Sequence, residues 1–290
     1  MKRQQDKLLI IIAMSGEMPT YLGQYVTGSV SYTAALITRL KKERYISLRC
    51  KDGYRGYVLL EKGRNYLLSE YEKELSFFIS GSGQTGHVKS EPEKRMRLYR
   101  MSEVWVFFWK AGIEILRNHK PDMDKGFVRD RGKAFYYGSL EFKGMSEAIR
   151  GSRSCGVLLS GDTALVVYNT MDRNMKWAKK MECSMRTWTE RMLLKGGYNN
   201  KADALIVGQN IKVFFNLYSI QRKDHVFIYV LINILSGRYV QKRINLVFPF
   251  VHLVKVPRSQ MIFLQVPKYL LLMYRKYLTE DLYLEQTTTI

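Results

Sequence analysis

Asp122, preceded by Pro121, is followed, after 18 intervening residues, by the triplet Glu141-Phe142-Lys143. Two carboxylates can hold a magnesium ion beside a scissile phosphate, and a neighbouring lysine can orient or activate the attacking water. If residues 134–143 form a strand, its period of two puts Glu141 and Lys143 on one face. A turn at Asp130-Arg131-Gly132 then brings Asp122 beside them. Asp122, Glu141 and Lys143 are therefore a candidate catalytic set, with Asp122 and Glu141 as metal ligands and magnesium as the one cofactor implied. Without that chemistry the sequence implies no cofactor. Glu-x-Lys on a strand also serves as an ordinary solvated face.

A second set has the chemistry of nucleic-acid recognition. From Ser31 to Arg64 nine basic residues stand against three acidic ones. Helical spacing places Val30, Ala34, Ile37 and Leu40 toward a core, leaving Ser31, Tyr32, Ala35, Thr38, Arg39 and Lys42 outward. Small polar and basic side chains at the start of a helix suit the major groove, where hydroxyls bond phosphates and arginine bonds guanine. Two alternating stretches, Ser47 to Cys50 and Tyr57 to Leu60, flank Lys51-Asp52-Gly53-Tyr54-Arg55-Gly56, and Asp-Gly is a strong hairpin signal. The candidate DNA contacts are Ser31, Tyr32, Thr33, Thr38, Arg39 and Lys42 on the helix, with Arg49, Lys51, Tyr54 and Arg55 on the hairpin.

Composition points the same way. The chain has 290 residues and a formal charge of +21, an excess that favours polyanionic partners through counterion release. Duplex DNA is the expected partner, with a homodimer as a further possibility. Anionic lipid and plain solubility are the other readings of the charge. Cys50, Cys155 and Cys183 form no Cys-x-x-Cys pair, as expected of a reducing, cytoplasmic compartment without a disulfide framework. The apolar run Leu8 to Met14 lacks a cleavage site and reads as a core helix, and Val226 to Leu235 is too short to span a bilayer, so no membrane partner is expected. No His-x-His, Gly-x-Ser-x-Gly or His-Glu-x-x-His pattern occurs, and none of His87, His119, His225 and His252 begins a His-x-x-Arg pair.

The elements that must position these residues divide into two domains, 1–78 and 95–290, joined by a Gly- and Ser-rich linker over 79–94. Gly81 and Gly86 have phosphate-loop spacing, but His87 and Val88 stand where Lys and Ser/Thr are needed. In the first domain Gln5 to Ser15, a short segment from Pro19, and a helix after Thr27-Gly28-Ser29 precede the hairpin. In the second, helices are expected over 93–111 and 175–194, and strands over 134–143, 156–159, 164–168 and 204–207. Val226 to Ile234 is a strand or helix, and Lys268 to Tyr283 an amphipathic helix. The fold class is α+β, an N-terminal helix-turn-helix unit followed by a larger α/β domain.

The order of the first domain resembles winged helix-turn-helix regulators of the MarR and PadR kind. The residues that carry it are Leu40 to Ile46, the basic wing Leu48 to Val58, and Leu59-Leu60-Glu61-Lys62-Gly63-Arg64. Arg44 stands where such proteins often have a capping Gly, and Leu60 where they have Thr. That resemblance implies duplex DNA binding; winged helices also dock proteins. Pro121-Asp122 with Glu141-Phe142-Lys143 resembles the Pro-Asp…(Asp/Glu)-x-Lys signature of restriction-endonuclease-like folds. It implies either a magnesium-dependent nuclease or an inactive scaffold. The combination is similar to replication-relaxation proteins of plasmids and conjugative elements, implying a role in replication or transfer, with Lys143 where that family often has Asp.

Overall fold

The structure, a computed structural model, describes residues 3–79, 91–128, 133–160, 163–171, 179–197, 202–208 and 227–231. Gly81, Gly86 and His87, the Asp130-Arg131-Gly132 turn, Gly161-Asp162 and Lys268 to Tyr283 lie outside the described residues.

The first helix, α1 (Gln4–Ser15), carries the run Leu8 to Met14, every member buried. A helix apolar all round must sit at the centre of its unit, and α1 packs against the later helices and the hairpin. Gly16, at φ 79°, closes it with an N–H to the Ile12 carbonyl. β1 (Met18–Pro19), a 3₁₀ turn and α2 (Gly23–Thr27) follow. Gly28, at φ 83°, turns the chain into α3 (Val30–Lys42), whose first turn is capped by the Ser29 hydroxyl accepting from Tyr32 N. β2 (Ile46–Lys51) and β3 (Tyr54–Leu59) pair antiparallel, and β1 joins β3 at the other edge. The hairpin is tighter than Lys51 to Gly56: Lys51 pairs with Tyr54 across Asp52 and Gly53, at φ 53° and 77°. Positive φ at both central residues is the type I′ turn that matches strand twist. α4 (Glu61–Ile79) bends at Tyr71.

Helix reaches into both ends of the expected linker, 79–94. Ile79 is buried at the end of α4, and Pro92 already opens α5 (Pro92–Lys110). β4 (Ala134–Gly138), β5 (Gly156–Ser160) and β6 (Thr163–Met171) form an antiparallel meander, and α7 (Lys179–Lys195) crosses to β7 (Ala202–Gly208), parallel to β6. The ambiguous segment near 226 is a strand, β8 (Phe227–Leu231), parallel to β7. Between β4 and β5 lies the one-turn helix α6 (Ser139–Phe142).

Alternation along the five-stranded sheet divides its side chains between two cores. Tyr136, Leu158, Leu165, Val167, Leu205 and Val207 join a cluster shared with α1, α3, α4 and α5. Phe135, Tyr137, Val157, Leu159, Val166 and Ile206 join a second cluster with Met185, Trp188 and Leu193 of α7. Both faces are covered, which is why these strands read as nearly continuous apolar runs. The N-terminal helices and the sheet therefore share one core, with α5 packed between them. The class is α+β. No helix among the described residues is long and apolar enough to cross a membrane.

Candidate nucleic-acid interface

α3 is rotated relative to the sequence expectation. Thr33, Leu36, Ile37 and Leu40 are its buried stripe, whereas Val30 is 67% exposed and Ala34 is also outside. Thr33 is accordingly corrected from a DNA contact to an interior residue. Its hydroxyl bonds the Ser29 carbonyl and the Thr27 hydroxyl, which satisfies a polar group that burial would otherwise penalise. The spacings 30/34/37/40 and 33/36/37/40 both look helical; burial of the larger apolar Leu36 and the hydrogen bonding of Thr33 select the second. Opposite the buried stripe, at 100° per residue, run Ser31, Ala35, Thr38 and Lys42, all exposed. Three small side chains followed by a cation leave the backbone of this face open to close approach. Thr38 bonds back to the Ala34 carbonyl at 2.9 Å. Tyr32, 48% exposed, and Arg39 flank the stripe, and Arg39 is drawn aside by Gln5 Oε1 at 2.8 Å and by Glu43.

Strand parity divides the hairpin. Arg49 and Lys51 share one face with Gly56 and Tyr54, their cross-strand partners; Arg55 and Cys50 share the other. The first face turns inward. Arg49 donates to Glu17 at 3.4 Å and is largely covered, so its expected place on the DNA backbone is corrected to an internal ion pair. Tyr54 is half-buried with its ring edge-on to Tyr99. Lys51, at the tip, and Arg55, on the outer face, are exposed.

What holds the hairpin is Arg95 of α5. Its Nε donates to both Glu17 carboxylate oxygens at 3.1 Å, and its Nη1 to the Lys51 carbonyl at 2.7 Å. Nη2 reaches the Arg49 and Tyr54 carbonyls at 3.3 Å, besides Glu17 itself. Both side chains are 0% exposed. Gly56 makes room: a Cβ there would lie 2.5 Å from Glu17 Oε1 and 2.7 Å from the Tyr99 hydroxyl. The sequence reading missed Arg95, one cation in the charged phrase Glu93-Lys94-Arg95. The signal present was Gly56, since glycine inside a strand often marks a close approach.

The carboxylate set is not assembled. β4 ends at Gly138, so Glu141 and Lys143 do not share a strand face; Glu141 lies on α6 and Lys143 opens the next turn. The short helix is fixed by Glu141 itself, whose Oε2 accepts from Gly138 N at 2.6 Å. Lys120 Nζ donates to both Glu141 oxygens at 2.8 and 2.9 Å and to the Tyr136 carbonyl, beside the ring of Tyr137. Burial raises the Glu141 carboxyl and Lys120 partly offsets this. Lys143 is buried, donating to the Ser152 and Ser154 carbonyls at 2.6 and 3.2 Å. Asp122 is exposed and accepts from Asp124 N, capping a 3₁₀ turn. No hydrogen bond or ion pair joins any two of the three, and the described residues contain no group of three His, Cys, Asp or Glu suited to a metal ion.

No protein-family model, curated protein or solved structure matches this chain significantly.

Proposed function

We propose that this protein binds duplex DNA through a winged helix-turn-helix, with α3 entering the major groove and the β2–β3 hairpin lying along the backbone. The observation that carries this reading is the Ser31, Ala35, Thr38, Lys42 stripe, directly opposite the buried face of α3 and beside a type I′ hairpin bearing exposed Lys51 and Arg55. Small residues let a helix backbone approach base edges, and the cations supply phosphate contacts. The net charge of +21 adds a sequence-independent attraction. A role for this contact in replication or transfer of a mobile element is what a likeness to replication-relaxation proteins would imply. A nuclease reading has less support, because Glu141 is committed to Lys120 and Lys143 to backbone carbonyls.

The test compares Lys42→Ala with Arg55→Ala on specific and random duplexes. Arg55→Ala weakens both equally, while Lys42→Ala costs about 1 to 3 kcal/mol of discrimination if it reaches a base edge. Arg39→Ala, already turned toward Gln5, has the smallest effect. Equal losses for Lys42→Ala and Arg55→Ala on both duplexes would displace the reading face from this stripe.

A further inference from the structure

On α5, Arg97 and Arg100 stand about one helical turn apart. Lys143 and Arg153 come to the same place from the segment between α6 and β5. All four lie within electrostatic reach of buried Cys155, or of a cation that faces it. Arg97 and Arg153 are exposed, Arg100 is half-buried and Lys143 is buried.

The donors are incompletely used. When protonated, Lys143 has three N–H groups and two acceptors, the Ser152 and Ser154 carbonyls, so one donor is open. Arg100 Nε is buried with no hydrogen-bond partner among the described residues. Among the described residues the carboxylates that act on Arg100 and Lys143, Glu103 and Glu182, are held elsewhere. Glu103 accepts from Tyr21 and Asn169; Glu182 accepts from the Ser152 and Tyr168 hydroxyls and from Arg153 N. Among the described residues these four basic groups thus face two carboxylates that are already occupied, and a protonated Lys143 beside Arg97 and Arg153 lacks a counter-charge of its own. A tetrahedral dianion would supply that charge and meet the open donors, whereas a monoanionic carboxylate would neutralise less and reach fewer of them.

We propose that Arg97, Arg100, Lys143 and Arg153 form a binding site for a phosphate-type oxyanion. It uses none of the α3 residues and is independent of the DNA reading. The ligand is either a free small phosphate or a backbone phosphate of nucleic acid.

The experiment titrates inorganic phosphate into the full chain by calorimetry at constant ionic strength, with Arg97→Ala and Arg153→Ala in parallel. Both positions are exposed, so these variants fold. Saturable binding weakened about tenfold in each variant is expected, the loss of one charge-assisted hydrogen bond. In a second arm, duplex DNA affinity is followed against salt. A slope reduced by about one in Arg97→Ala identifies a backbone phosphate as the ligand; an unchanged slope, with phosphate bound, identifies a free one. Phosphate binding equal in wild type and both variants overturns the site. So does an absence of phosphate binding together with unchanged salt slopes. If the chain binds no DNA at all, calorimetry alone decides.

Discussion

Arg95 and Glu17, 78 residues apart, form a fully buried ion pair that also ties the β2–β3 hairpin to α5. The guanidinium spans the carboxylate and three hairpin carbonyls, so the hairpin tip is held by a residue outside the first 79.

Removing Arg95 leaves Glu17 buried with, among the described residues, Arg49 at 3.4 Å and Tyr99 as side-chain partners of its carboxylate. Arg95→Ala should destabilise the full chain by about 3 to 5 kcal/mol in chemical denaturation. Amide exchange should accelerate over residues 49–56. A fragment ending at Ile79 loses the same partner and should melt below one ending at Lys110. Equal stability of the two fragments would mean that the pair does not anchor the hairpin.

Arg44 gives a prediction of opposite sign. It follows α3 at φ 60°, with Arg44 N bonding the Lys41 carbonyl and Tyr45 N the Leu40 carbonyl, the paired bonds of a Schellman cap. A left-handed conformation costs a residue with Cβ about 1 to 2 kcal/mol relative to glycine. Arg44→Gly should raise stability by about 1 kcal/mol, read as a higher melting temperature.

Lys143 makes stability depend on pH. Burial, then Arg97, lowers its pKa from 10.5 to about 7, with Arg153 adding and Cys155 and Glu182 opposing. Between these values the unfolded chain binds a proton that the folded chain does not, so stability rises with pH from about 7 toward 10.5. Lys143→Met should flatten that rise in melts across the window. Tyr66, pushed up to about 12 first by burial and then by Asp6, contributes stability that is lost as pH climbs from 10 through 12.

Glu141 is predicted to be structural. Glu141→Gln keeps an oxygen for Gly138 N but strands the buried Lys120 charge, costing about 3 kcal/mol. The double variant Glu141→Gln with Lys120→Met should be more stable than Glu141→Gln alone, a coupling that a thermodynamic cycle measures. Magnesium should leave the melting temperature of the wild type unchanged; a rise on adding magnesium would reinstate a metal role.

Local signals were legible and distant ones were not. Asp52-Gly53 announced the hairpin because its turn type demands those residues, and the apolar run of α1 announced a core helix. β4 was overextended because Leu140 and Phe142 continue an apolar alternation, while the feature that stops the strand is the Glu141 carboxylate folding back on Gly138 N. The rotation of α3 was hidden because burying a threonine depends on where its hydroxyl can bond. Glu17 and Arg95 carried no sequence mark of each other, since their pairing exists only once α5 packs beside β1.

The central claim, duplex DNA binding through α3 and the hairpin, is tested most directly by measuring full-chain affinity for duplex DNA across a salt series. The wild type should show log affinity falling linearly with log salt, and Arg55→Ala should reduce the slope by about one phosphate contact. No binding at low salt, or a slope unchanged by Arg55→Ala and Lys42→Ala together, would contradict the account.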